Sequence, residues 1–184
     1  MTTTTLVLVA IVIAVIVGAL VWMYTERQRR THLQSRFGPE YQRTVEHVGD
    51  ARRAEAELAE REKRVSSYHI RDLNPEERDR FGTRWRAVQA KFVDDPAAAV
   101  NEADLLVTEL MTARGYPMND FDRRAEDLTV DHANVVQNYR QARDIARRHS
   151  RGEASTEDLR QAVVNYRALF SNLLEEHHPV RRSA

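Results

Sequence analysis

The sequence predicts an all-α protein: an N-terminal transmembrane helix, then a long charged helix, then a small antiparallel helical bundle. Three observations carry this expectation. Leu6 to Tyr24 is a run of 19 residues without a charge. Beyond it, apolar residues recur at steps of three and four, the spacing of one helix face. No alternating run marks a strand, and helix-starting residues precede each periodic segment.

The apolar run comes first in the chain. Nineteen helical residues rise about 28 Å, close to the hydrocarbon thickness of a bilayer. A cleaved signal peptide fits less well. It wants basic residues ahead of a shorter apolar run and a small-residue cleavage site. Here "MTTTT" has no Lys or Arg, and the run ends in the bulky Trp22, Met23 and Tyr24. Aromatic residues suit the headgroup level. Arg27, Arg29, Arg30 and Arg36 follow, against Glu26 and Glu40. Basic residues stay on the cytoplasmic side, so the sequence predicts a single-pass protein of a bacterial cell membrane with its C-terminal part in the cytoplasm. The three arginines nearest the run also sit at the level of anionic lipid heads.

Composition narrows the functional classes. Cysteine is absent, which excludes disulfide frameworks and thiolate metal sites. Lys plus Arg and Asp plus Glu are 28 each, so net charge gives no drive toward nucleic acid, and no specific nucleic-acid binding is expected.

The expected organisation is a short tail (1–5), the transmembrane helix (6–24), a basic juxtamembrane segment (25–39), a long charged helix or stalk (40–72), a helical bundle (73–176) and a flexible tail (177–184). "FGP" at 37–39 breaks the first helix, and Pro39 opens the next. From Glu40 to about Tyr68 the pattern reads as one helix with sparse apolar positions and opposite charges four apart, such as Arg53 with Glu57 and Glu60 with Arg64. Asn74 and Asp95 each precede a proline, the order of an N-cap followed by the first helical position. Phe81, Trp85, Val88 and Phe92 form the stripe of the first of these helices. Gly82 within it suggests a close helix crossing. Val100, Ala103, Leu106, Val107, Leu110 and Met111 form the stripe of the second, ended by a left-handed Gly115. Asp131 is the expected cap of a helix carrying Val135, Val136, Tyr139, Ala142 and Ile145. Ser155 with Asp158 opens a last helix with Leu159, Ala162, Val163, Tyr166, Leu169, Phe170, Leu173 and Leu174.

Chemistry is sparse. No HExxH, phosphate loop or nucleophile elbow occurs, and no catalytic, cofactor-binding or metal residue is assigned. "EEHHP" at 175–179 is the nearest thing to a metal motif. The sequence weighs against an enzyme without settling the matter. The segment "RGYPMNDFDRRAEDLTVDH" is the strongest surface candidate. It joins two well-formed helices with about seventeen residues, longer than a bundle needs. It mixes aromatic and basic side chains, as protein interfaces do. Tyr116, Met118, Phe121, Arg123 and Arg124 are the expected partner-binding residues. The functional expectation is therefore a membrane-anchored protein-interaction or scaffold module whose partners are the lipid bilayer and a protein of unstated identity, with room for self-association. The alternative is a small-ligand-binding protein or enzyme with an interhelical pocket near Trp85.

Four pieces, "RFGPEYQRTV", "FGTRWRAVQAKFVDDPAAAVNEADLLVTELMTARGYP", "VDHANVVQNYRQAR" and "TEDLRQAVVNYRALFSNLL", together resemble a family of uncharacterised bacterial single-span, membrane-anchored α-helical proteins, often labelled hypothetical or secreted. The resemblance implies one N-terminal span followed by a helical domain, and no activity.

Overall fold

The structure, a computed structural model, describes residues 3–118 and 120–175, with side chains described from Ile11 onward. Among these residues it contains seven helices and no strand. The chain divides into two compact units, Met1–Ala59 and Glu60–Ala184.

The first unit is built on α1 (Thr3–Phe37), followed by α2 (Pro39–Val48) and the start of α3 (Ala51–Ser66). From Ile11 to Tyr24 every side chain of α1 is exposed, Trp22 at 61% and Tyr24 at 63%. Among the described residues α1 is the one helix long and apolar enough to cross a membrane. It does not stop at the end of the apolar run. The chain breaks only at Gly38, whose φ of 46° suits a residue without a β-carbon. Pro39 then stands at the first turn of α2, as its missing N–H allows.

The expected helix from Glu40 to about Tyr68 is two helices, α2 and α3. Gly49 adopts φ 75° and donates its N–H to Val45 O at 2.9 Å, which closes α2 in a left-handed cap. Asp50 follows, and its carboxylate accepts the Arg53 N–H at 2.8 Å, which starts α3. A glycine and an aspartate inside a charged, weakly periodic run were enough to divide it. Leu33, Phe37, Tyr41, Ala54 and Leu58 are buried in this unit. Buried Glu55 accepts the Tyr41 hydroxyl at 2.6 Å, and Arg30 lies 3.6 Å from the same carboxylate.

The second unit takes the end of α3 and adds α4 (Pro75–Asp94), α5 (Pro96–Arg114), α6 (Phe121–Ser150) and α7 (Thr156–Glu175). Each start is chemically specified. Asn74 accepts the Glu77 N–H at 2.7 Å, and the Glu77 carboxylate accepts the Asn74 N–H at 3.0 Å, a full capping box. Asp95 caps α5 through the Ala98 N–H at 2.9 Å. Ser155 and Asp158 bond reciprocally at the head of α7, at 2.8 and 3.2 Å.

Arg71 reaches Glu77 with two nitrogens at 2.7 and 2.8 Å. That pair, and then the Asn74 N–H, holds the Glu77 carboxyl down to about 2, against an ordinary value near 4.5. A depressed carboxyl stabilises the fold fully above its unfolded value, and the contribution fades as pH falls toward the folded one. The cap of α4 is therefore expected to weaken between about pH 4.5 and about pH 2. Glu77→Gln should flatten the pH dependence of thermal stability in that window while leaving stability near neutrality lower. An unchanged acid limb would assign the acid sensitivity to other carboxylates.

Ion pairs and hydrogen bonds between helices show their directions. Arg84 meets Glu109, and Lys91 meets Glu102, so α4 and α5 run oppositely. Tyr166 meets Asp104 at 2.9 Å, and Arg114 meets Leu173 O at 2.6 Å, so α5 and α7 run the same way. Trp85 and Phe170 stack at 4.6 Å between ring centroids, both buried. Leu106, Leu110, Met111, Leu128, Tyr139 and Leu169 complete the centre.

α6 is not straight. His132 has φ −125° and ψ 31°, outside the helical region. The Phe121 and Tyr139 rings lie 4.8 Å apart, and the Arg147 guanidinium lies 5.7 Å from the Phe121 ring. In a straight helix Phe121 and Arg147 would be separated by about 39 Å. The helix thus reverses at His132, and its first part lies back along its second. The expected cap at Asp131 falls one residue before this reversal. The segment before it, read from the sequence as irregular with at most a short helical turn near Phe121–Glu126, is helical from Phe121 on, starting where Asp120 accepts the Arg123 N–H at 2.9 Å.

The end of α3 belongs to the same unit. Asp127, 2% exposed, accepts Arg64 Nε at 2.8 Å and Nη2 at 2.7 Å, and the Tyr68 hydroxyl at 2.8 Å. Burial first, and then this carboxylate, push the Tyr68 hydroxyl above its usual value. Gly82 faces no atom within 4 Å beyond its own helix, so it does not mark a close crossing.

Candidate functional site

The five expected partner-binding residues fall on both sides of the protein surface. Tyr116 points inward. It is 3% exposed, and its hydroxyl lies 2.9 Å from His132 Nε2, while His132 Nδ1 lies 2.6 Å from Asn172 Oδ1. His132 thus bridges Tyr116 and Asn172 through its two ring nitrogens. At 2% exposure His132 is shielded from solvent, so this trio locks the α6 reversal to α7 and the end of α5. Phe121 is half-buried on Tyr139. Arg123 is exposed, with its nearest carboxylate, Glu126, at 3.7 Å. Arg124 donates to Thr108 Oγ1 at 3.1 Å. Met118 is 56% exposed, and its sulfur lies against the Thr112 hydroxyl, which donates to Thr108 O at 2.9 Å.

These contacts bring Met118 and Arg124 onto one face of α5. Leu105, Thr108 and Thr112 follow one another at steps of three and four, so they share that face. Leu105 is 62% exposed. The face therefore carries two large exposed apolar side chains, Leu105 at one end and Met118 against Thr112, about 10 Å further along the helix, with Arg124 anchored between them at Thr108. Leu105 was absent from the expected site. Its signal was its place outside the α5 apolar stripe, where a leucine has no core to fill.

Below the face lies a polar cluster. Asp104 accepts Tyr166 Oη at 2.9 Å and Arg143 Nη1 at 2.9 Å. Burial, and then Asp104, push the Tyr166 hydroxyl upward. Tyr139 is fully buried, and burial raises its hydroxyl to about 12. Its hydroxyl approaches the Thr108 side chain without a hydrogen bond of ordinary geometry. A buried hydroxyl so poorly paired costs about as much as its pairing returns. Tyr139→Phe is expected to leave stability unchanged or raise it by about 1 kcal/mol. A raised folded value also means that the tyrosine's stabilising contribution is complete below pH 10 and is lost as pH climbs toward about 12. Tyr139→Phe should accordingly move the alkaline limb of a thermal-melt series to higher pH, which differential scanning across pH 9 to 12 would read.

The interhelical space at Trp85 is taken by Phe170. Near it, a groove of about 500 Å³ opens over Gly82 between α4 and α7, lined by Arg78, Asp79, Arg86, Leu174 and Glu175. Among the described residues no group of three or more His, Asp or Glu is arranged to hold a metal ion. The "EEHHP" motif lies outside the described residues apart from Glu175.

Compared with protein-family models, with curated proteins and with solved structures, the chain matches none. The family resemblance therefore rests on the quoted sequence pieces alone.

Proposed function

We propose that this protein is a membrane-anchored interaction module, held by α1 in a bacterial cell membrane and presenting a small helical bundle on the cytoplasmic side to a protein partner. The observation that carries the reading is the α5 face, where Leu105 and Met118 stay exposed in a unit whose other large apolar residues are mostly buried. Exposed apolar side chains beside a fixed arginine are what protein interfaces use as anchors. Helices on both sides of the face hold it rigid, so little entropy is lost on binding. The anchor is supported by the exposed apolar surface of α1, and the orientation by the arginines that follow it.

Three experiments test this. A C-terminal reporter active only in the periplasm should stay silent, and strong activity would reverse the orientation. Extraction with carbonate should leave the protein in the membrane fraction, and release would remove the anchor. Affinity purification from detergent-solubilised membranes should recover a defined protein whose yield falls at least about fivefold in Leu105→Ser with Met118→Ser. Equal recovery with the variant would take the α5 face out of the interaction.

A further inference from the structure

The surroundings of the α5 face carry an uneven charge. The Arg143 guanidinium lies 5.5 Å and that of Arg147 5.7 Å from the centroid of the Phe121 ring. Arg124 stands one helical turn on from Phe121. Against these three cations there is one close carboxylate, Asp104, on Arg143. Arg124 bonds a neutral hydroxyl, and Arg147 meets only the ring, with no carboxylate in ion-pair distance of either among the described residues. The Nε atoms of Arg124 and Arg143 are buried and donate to nothing there. Buried N–H groups in folded proteins are nearly always paired, so this cluster is short of acceptors.

We infer that the arginines around Phe121 bind the carboxylate of an acidic side chain on a protein partner, while Leu105 and Met118 receive apolar residues beside it. The inference rests on the reading of the α5 face as a protein-docking surface. A guanidinium stacked on an aromatic ring is held in place and pairs well with a carboxylate. The neighbouring exposed apolar residues select a peptide, which carries both chemistries, over a free oxyanion.

The test uses the full chain in micelles of a zwitterionic detergent. The probes are a fluorescent peptide alternating Glu and Leu and its counterpart with Gln for Glu, read by anisotropy. The Glu peptide should bind, and the Gln peptide at least about tenfold more weakly. Arg124→Ala with Arg147→Ala should lose at least about tenfold in affinity for the Glu peptide at an unchanged melting temperature. Should that pair fail to fold, Arg147→Gln alone, at an exposed position, should still lose several-fold. Equal affinity for the two peptides, or binding indifferent to both arginine variants, would overturn the inference. So would binding of neither peptide at about 1 mM. Displacement of the Glu peptide by inorganic phosphate at equal concentration would make this a general oxyanion site. Arginine-dependent capture by phosphatidylglycerol vesicles without peptide binding would make it a lipid site. Either result overturns the carboxylate assignment. If Leu105→Ser with Met118→Ser weakens both peptides while the arginine variants change nothing, the docking face stands and the carboxylate site falls.

Discussion

Gly115→Ala is expected to be among the most damaging single substitutions in the second unit. Gly115 ends α5 at φ 95°, and a β-carbon there would stand 2.3 Å from the carbonyl oxygen of His69. The neighbouring atom is backbone, fixed by the Arg71 N–H bond to Arg114 O at 2.9 Å, and so cannot swing away. The left-handed conformation alone costs about 1 kcal/mol with a β-carbon, and the clash brings the loss to roughly 3–4 kcal/mol. Gly152→Ala provides the control. Gly152 has φ 75° with nothing within 4 Å, so it should lose only the conformational part. Denaturant midpoints of the two variants separate the terms. Equal losses would mean that the segment before α4 does not hold its place against the end of α5.

Trp85→Ala is expected to cost about 3–5 kcal/mol, as for other large aromatic residues removed from a core. The stacked Phe170 loses its partner, and α4 loses its main grip on α7. Trp85→Phe should cost much less. It keeps a ring against Phe170 and removes an indole N–H that has no acceptor among the described residues. Abundance in membranes should fall with Trp85→Ala and hold with Leu105→Ser and Met118→Ser, because exposed positions usually change stability by less than about 0.5 kcal/mol. Equal losses in both sets would make the α5 face part of the core.

Much of the helical pattern could be read in the sequence because its signals are local. Asn74–Pro75, Asp95–Pro96 and Gly115 lie at the helix ends they were expected to mark. The stripe from Phe81 to Val88 is buried as expected, and Phe92 is partly buried. What escaped was tertiary or masked by charge. Gly49 divides α2 from α3 in a run whose spaced charges imitate a continuous helix. Phe121, Ala125 and Leu128 have helical spacing, but they are set among Asp, Arg and Glu that suggested a loop with no more than a short helical turn near Phe121–Glu126. Arg114, fully buried with its guanidinium on Leu173 O at 2.6 Å, has no local signature, because its acceptor lies 59 residues away. The site was legible in part for the same reason. Aromatic and basic composition located the segment, but only packing decided that Tyr116 faces His132 and that Leu105, from another element, joins Met118.

The reversal of α6 at His132 also bears on the order in which this unit assembles. Phe121 and Tyr139 meet within a single helical hairpin. α4 meets α5, and α6 meets α7, across short connections. Such pairings close small loops, which is fast and entropically inexpensive. The contacts that join distant parts of the chain include Trp85 on Phe170, Arg114 on Leu173, Tyr166 on Asp104 and Arg64 on Asp127. Two hairpins can therefore form independently as the chain emerges, and their docking buries the arginine and the aspartate last. The α6 and α7 hairpin cannot close before α7 has formed, so α7 supplies the step that lets the two hairpins dock and commits the unit to its fold.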